Sequence, residues 1–161
     1  MENIRIGTGF DVHRFIIGRP LVLGGVTIDH PMGLEGHSDA DVLVHAIIDA
    51  LLGASNLPDI GQLFPDSSSS YKNISSLVLL ERVSALLREK GVSVVNIDST
   101  VICDRPKIAR YIPEMKQKIS AALDELSPER IGIKGTTTEG LGFTGRGEGI
   151  AAQAVALVSI T

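Results

Sequence analysis

The chain has one cysteine, Cys103, in 161 residues, which excludes an intrachain disulfide and fits a reducing compartment. Excess positive charge is also missing. Fifteen basic residues against nineteen acidic ones leave a net charge of −4, so no global field attracts nucleic acid, and a polyanionic ligand has to be held locally. The start MENIRIG lacks the basic residues and apolar stretch of a secretory signal, and no Arg- and Ser-rich transit segment is present. Neither LVHAIIDALLGA nor IAAQAVALVSI has the length and unbroken apolarity of a membrane span. These absences lead us to expect a soluble, cytoplasmic protein, with a processed organellar form left open. There is no evident internal repeat. No stretch has Walker A spacing, which makes a P-loop nucleotidase a poor reading.

What is present suits one compact domain, residues 1–161, since 43% of the residues are hydrophobic. IRIGTGFDVH reads as a first strand, and LVLGGVTID as a second strand or a hairpin turning at Gly24-Gly25. Ser38 or Asp39 is expected to cap a helix running to about Gly53. Its Val42, Ala46, Leu51 and Leu52 would face the core, and His45 and Asp49 a cleft. LPDIGQLFPDSSSSYK reads as a loop, either a linker or a lid. A second helix is expected over Ser75 to Lys90, closed by Gly91. VSVVNIDSTVIC reads as a strand, and IPEMKQKISAALDEL as a helix with Ile112, Met115, Ile119, Ala122 and Leu126 on one face. Closing strands fall at Ile131 to Thr136 and Gly149 to Ile160. In the last of these, Ala151, Ala152, Ala154 and Ala156 are too small to build a large core and suggest packing against another subunit. The order predicts an α+β fold, a mixed β-sheet with helices packed on one face.

Asp11 and His13 lie two apart on the first strand, so their side chains share a face, and His45 lies on the following helix. Two imidazoles and a carboxylate form the protein half of an open metal site, with the fourth position left for water or substrate. Zinc suits this set, although manganese, iron or cobalt also accept it. Alone, Asp-x-His is a common accident, and His45 would pass for a core histidine. The neighbouring His37-Ser38-Asp39-Ala40-Asp41 cluster shifts the balance toward a site. Asp41 and Asp49, each four residues from His45, are expected to orient its imidazole or to be solvated charges. Further along, Arg105, Lys107 and Arg110 precede a glycine- and threonine-rich stretch with Thr136, Thr137, Thr138, Glu139 and Arg146, where hydroxyls and amides can hold phosphate. Glu139 among them suggests a divalent cation accompanying the phosphates. Cys103 follows strand-like residues and reads as a buried or pocket-wall thiol.

The motifs GFDVHR, GLEGHSDADVLVHAIIDALLGA, LPDIGQLFPD, DRPKI and TTTEGLGFTGRGEGIAAQAVAL resemble, in order and over nearly the whole chain, the 2-C-methyl-D-erythritol 2,4-cyclodiphosphate synthase family of the non-mevalonate isoprenoid pathway. The resemblance implies a cyclising, CMP-releasing phosphorus-oxygen lyase acting on 4-diphosphocytidyl-2-C-methyl-D-erythritol 2-phosphate. It implies zinc on Asp11, His13 and His45, and magnesium or manganese held through phosphates by Glu139. His37 and Thr137 would stabilise the transition state. Ser38 would lie by the phosphates, and Asp59, Ile60, Gly61, Phe64, Pro65 and Asp66 around the methylerythritol portion. Cys103, Pro106, Lys107, Ile108 and Ala109 would form the cytidine pocket, and Thr136, Thr138, Phe143 and Arg146 the phosphate-side loop. It further implies a homotrimer of bacterial type with active sites between subunits, and an apolar threefold channel able to take an isoprenoid diphosphate. Thr8, Ala40, Asp104-Arg105 and Gly140 depart from residues frequent in the family, and none is a metal ligand. Two other readings stay open, a zinc-dependent phosphohydrolase and a non-catalytic trimeric binder of diphosphates.

Overall fold

The computed structural model describes residues 3–161, so the first two residues of the MENIRIG start lie outside the described residues. A long first strand, β1 (Asn3–Ile16), pairs antiparallel with the last, β7 (Gly149–Ile160), which pairs antiparallel with β5 (Val92–Ile102). Strand β6 (Ile131–Thr136) runs parallel to β5, and the short β4 (Gly33–Leu34) closes the other edge. The order is β4-β1-β7-β5-β6. The expected hairpin is present as β2 (Leu21–Leu23) and β3 (Val26–Ile28). Its turn places Gly24 and Gly25 at φ 59° and 75°, the left-handed pair that a two-residue hairpin needs.

Helix α1 (Val42–Ala54) lies on β1 and β7. Period-two alternation sends Gly7, Gly9, Asp11 and His13 toward it and leaves Ile4, Ile6, Phe10 and Val12 exposed on the opposite face. The helix approaches closely because the strands beneath it are nearly bare. A Cβ at Gly9 would fall 1.9 Å from the Ala46 carbonyl oxygen, and one at Gly7 would fall 2.1 Å from that of Ala50. Ala152, Ala154 and Ala156 stand beside Asp11, Gly9 and Gly7 in the register and are buried. The expectation for these three alanines is therefore corrected. They pack beneath their own chain's helix, where small side chains permit the approach.

Helix α2 (Ile60–Leu63) is a single turn, and α3 (Ser76–Glu89) packs on α1 and β5. Helix α4 (Ile112–Ala122) packs on α3 and β6, extending the same layer, and α5 (Gly142–Gly145) is one further turn. The result is a mixed-sheet α+β fold. Among the described residues, no helix is long and apolar enough to cross a membrane.

Three expectations about boundaries need correction. The N-cap of α1 is Asp41, whose Oδ1 accepts from the Val44 N–H at 3.1 Å. Ser38 and Asp39 precede a reversal at Ala40, which has φ 58° and cannot continue into a right-handed helix. Helix α4 ends at Ala122 instead of reaching Leu126, because Asp124 and Glu125 adopt φ 52° and 60°. The serine-rich segment is not uniformly irregular, since it holds α2 and a 3₁₀ turn at Ser69–Tyr71.

Gly9→Ala is expected to lower the unfolding free energy by about 3 kcal/mol, the upper range for overpacking against backbone. Gly53→Ala, also on the α1 interface, has its nearest new contact at 3.8 Å and should raise stability by up to about 1 kcal/mol through helix propensity. Urea denaturation of both variants separates close approach from a general intolerance of alanine.

Candidate active site

The close seat of α1 brings His45 over the first strand. His45 Nδ1 and His13 Nε2 each lie 3.0 Å from the same atom, Asp11 Oδ2, and the three prospective ligand atoms all fall within 4.8 Å of one another. The other ring nitrogen of His13, Nδ1, is 2.6 Å from the Glu35 carbonyl oxygen. A carbonyl only accepts, so Nδ1 carries the hydrogen and a neutral His13 turns a bare Nε2 toward Asp11. With both rings neutral, acceptors converge on one point, and a divalent cation would satisfy them. The donor set fits a metal with N and O preference.

The charges support this arrangement. Burial pushes the Asp11 carboxyl up, but His13 and His45, when they carry a proton on the nitrogen facing it, hydrogen-bond to it and attract it, and so hold the group well below the usual carboxylate range. Burial likewise pulls His13 down, and the Asp11 carboxylate overcomes it, raising the imidazole above its ordinary value. A proton and a metal ion compete for the same nitrogen, so acid should release the metal.

A cavity of about 210 Å³ opens beside the triad, and His37, Ser38, Asp49, Ile60, Gly61, Phe64 and Asp66 also line it. His37 Nε2 donates to the Ser68 carbonyl at 3.0 Å, which ties this histidine to the serine-rich segment. Arg19, absent from the expected site, donates to the carbonyls of Gly36 at 2.6 Å and of Ser38, bracketing His37. No local motif marks it.

Asp41 and Asp49 do not orient His45. Asp41 is fully buried and accepts from the backbone N–H groups of Gly24, Gly25 and Val44. Asp49 accepts from the Ile60 N–H at 2.9 Å, and burial raises its carboxyl. Helical spacing put both near His45, but backbone donors on either side claim them. His45 Nε2 instead meets Ser38 Oγ at 3.2 Å and Ser76 Oγ at 2.8 Å. Ser76 was legible only as part of a helix start.

Asp59 caps α2, binding the Gln62 N–H and side chain, contacts that lower its carboxyl. It lines a neighbouring groove with Thr8, Phe10 and Asp49. Pro65 is exposed.

Cys103, Pro106, Lys107, Ile108, Ala109, Thr136 and Thr137 come together around a separate cavity of about 180 Å³. Thr137 Oγ1 donates to Glu139 Oε1 at 3.2 Å, and Glu139 is exposed. Thr138 is occupied with the Leu141 carbonyl and Thr144. Arg146 pairs with Glu148, and Phe143 borders a third, larger cavity with Val12, Phe15 and Met32. The first two cavities are not adjacent. In the register Asp11 pairs with Ala152, Ala152 with Val101 and Val101 with Gly135, so three strand spacings, about 14 Å, separate them.

A triad able to hold a metal ion and a cavity bearing threonine hydroxyls are features that suit a phosphate-handling α+β enzyme. The YgbB family model matches residues 4–159. Curated relatives named 2-C-methyl-D-erythritol 2,4-cyclodiphosphate synthase include one from Caldicellulosiruptor bescii, 62% identical over 154 residues, covering 96% of this chain and 98% of the relative. Another, from Pelotomaculum thermopropionicum, is 56% identical over 158 residues, with 98% and 97% covered. Among solved structures, the bifunctional IspDF of Campylobacter jejuni aligns with a TM-score of 0.95 and 44% identity over the whole chain, which spans 43% of that longer protein. The CDP complex of Plasmodium falciparum IspF aligns at 0.85 and 34%, covering 98% of this chain and 97% of that one. The chain belongs to the YgbB family.

Two tests follow. Burial, with the nearby Asp39 charge adding to it and backbone donors opposing it, pushes Asp41 up from 3.8 to about 6. The folded protein then holds this proton more tightly than the unfolded chain. Its contribution is complete below the unfolded value and is lost as pH rises through about 6, a difference of about 3 kcal/mol. Urea denaturation across that interval should show this component in the wild type and its loss in Asp41→Asn. Burial, opposed by Lys107 and aided by Asp104, pushes the Cys103 thiol up to about 11. Iodoacetamide at neutral pH should therefore label native protein roughly 100-fold more slowly than an ordinary thiol.

Proposed function

We propose that residues 1–161 form one synthase domain that converts 4-diphosphocytidyl-2-C-methyl-D-erythritol 2-phosphate to 2-C-methyl-D-erythritol 2,4-cyclodiphosphate and CMP, in the cytoplasm, as a step of non-mevalonate isoprenoid synthesis. The observation that carries this reading is the Asp11–His13–His45 convergence in a chain whose relatives at 56 to 62% identity bear the synthase name. An oxygen of the 2-phosphate bonds to the β-phosphorus while the bond from that phosphorus to the oxygen bridging to the α-phosphorus breaks, and CMP leaves with that oxygen. No water enters. Such a reaction rests on positioning and charge neutralisation. Two like unit charges at about 4 Å repel by roughly 4 kcal/mol at an effective dielectric near 20. Asp11, His13 and His45 would hold zinc, and Glu139 would help hold magnesium or manganese, whose positive charge would offset this repulsion.

The chain's own groups do the placing. His37, oriented by Ser68, faces the metal-side cavity with Ser38, and Ile60, Gly61, Phe64 and Asp66 enclose the methylerythritol portion. Thr137 hydrogen-bonds to the reacting phosphate oxygens. The Cys103 to Ala109 wall takes the cytidine, a role in keeping with the CDP complex of the Plasmodium relative. Thr136 and Lys107 lie on the same wall.

The separation of about 14 Å argues that one substrate bridges the metal side of one subunit and the nucleotide side of another. A homotrimer provides that meeting. The apolar face carrying Ile6 and Phe10, 67% and 58% exposed, supplies the contact surface and an axial channel for an isoprenoid diphosphate.

Phosphorus NMR of the protein with this substrate and magnesium should show CMP and cyclic diphosphate in equal amounts, both lost on zinc chelation. Release of inorganic phosphate instead would overturn the assignment. Co-refolding inactive His13→Ala with inactive Thr137→Ala should restore activity, because on random assembly about one site in four joins two intact halves. Activity staying at zero in mixed trimers would place each complete site within one chain.

A further inference from the structure

Asp39, expected as a possible helix cap within the His37–Asp41 cluster, and Ser76, expected only as part of a helix start, form a hydrogen-bonded chain behind His45. The Asp39 carboxylate accepts from the Ser76 N–H at 2.9 Å, the Asp41 N–H at 3.1 Å and the Ser76 hydroxyl. Ser76 is fully buried, so its side chain answers to its protein neighbours. Its Oγ lies 2.8 Å from His45 Nε2. A serine hydroxyl has one hydrogen, and here the carboxylate takes it. Only lone pairs remain for the imidazole.

We infer that Asp39, acting through Ser76, is a positioning group that fixes His45 in the tautomer with hydrogen on Nε2 and so reserves Nδ1 for the metal. The inference rests on the metal reading of the Asp11, His13 and His45 triad. Ser38 Oγ, 3.2 Å from the same Nε2, is the hydrogen-bond acceptor for the Ala40 N–H and can accept from Nε2 as well. The geometry parallels His13, where the Glu35 carbonyl fixes Nδ1–H and frees Nε2. One histidine is set by a carbonyl and the other by a carboxylate relayed through a hydroxyl. In both, the nitrogen facing Asp11 is the one left to a metal, because the other has an acceptor behind the ring. Outer partners of this kind fix ring orientation and raise ligand basicity.

A purely structural role makes a different prediction. Asp39 also accepts a backbone N–H at the start of α3, and that contact survives in Ser76→Ala, which removes the hydroxyl alone. Asp39→Asn offers a second route. With its amide oxygen on the Ser76 N–H, its NH₂ group takes the place of Oδ1 and donates to Ser76 Oγ, at the expense of the Asp41 N–H that Oδ1 accepts in the wild type, which frees the hydroxyl hydrogen for His45 Nε2 and favours the opposite tautomer.

The test uses full-length protein, zinc alone as the probe, competition against a fluorescent chelator, and ¹⁵N NMR of the neutral His45 ring in the zinc-free state. Wild type should bind zinc and show hydrogen on Nε2. Ser76→Ala should bind zinc 10- to 100-fold more weakly, the usual range for loss of an outer partner, with mixed tautomers. Asp39→Asn should shift the ring toward Nδ1–H, and it carries the test should Ser76→Ala not fold. Wild-type zinc affinity with an unchanged Nε2–H signal in the folded variants would overturn the relay while leaving the metal reading intact. A melting temperature that falls while affinity and tautomer stay unchanged would do the same. If wild type does not bind zinc, or His13→Ala binds it as tightly, the metal reading falls and takes the relay with it.

Discussion

The distance between α1 and the sheet governs the rest of the molecule. Gly7 and Gly9 on β1, with Ala152, Ala154 and Ala156 on β7, leave so little side chain beneath the helix that its backbone settles almost onto the strands. His45 projects from that helix, and Asp11 and His13 project from the same strand two and four residues beyond Gly9. The register that seats the helix also sets the spacing of the ligands. Packing density in the core and the spacing of Asp11, His13 and His45 at the rim are one constraint here, because interiors of this density transmit displacement instead of absorbing it.

The site spends little of its charge on direct solvent contact. Asp39, Asp41 and Asp49 lie in a short stretch with His45, yet each carboxylate meets backbone N–H groups from a different element. Those contacts join the start of α3, the β2–β3 hairpin and the start of α2 to the helix bearing the ligand. Acidic residues near a metal site are readily taken for ligands or for partners of ligands. Here Asp39, Asp41 and Asp49 are fasteners of the scaffold, and Asp11 is the carboxylate that, among the described residues, joins the two histidines.

Much of this was legible in the chain itself. The period-two pattern of IRIGTGFDVH placed Asp11 and His13 on one face, the apolar helix that follows placed His45 above them, and the closing strands fell where β-branched and small residues run together. What could not be read depended on tertiary contacts with no local signature. Ser76 looks like any residue in a helix start, and Arg19 like any surface arginine beside a proline, until the fold carries them to His45 and to the Gly36 and Ser38 carbonyls. Helical spacing misassigned Asp41 and Asp49, because proximity along a helix says nothing about which donors arrive from elsewhere. The end of α4 was overestimated for a related reason. Sequence periodicity continues to Leu126, and the left-handed backbone at Asp124 and Glu125 ends the helix regardless.

Ala40 sits at φ 58° between two aspartates whose carboxylates serve different elements. A non-glycine residue held there costs on the order of 1 kcal/mol. The reversal it creates makes Ser38 through Asp41 a junction, where the clamp from Arg19, the start of α3, the hairpin turn and the start of α1 all meet within four residues. A junction of that kind does not loosen one arm at a time. Thermal opening there would release the outer partners of His45 together with the tertiary ties of three elements, so loosening of the Asp11–His13–His45 cluster and the onset of unfolding would be a single cooperative event.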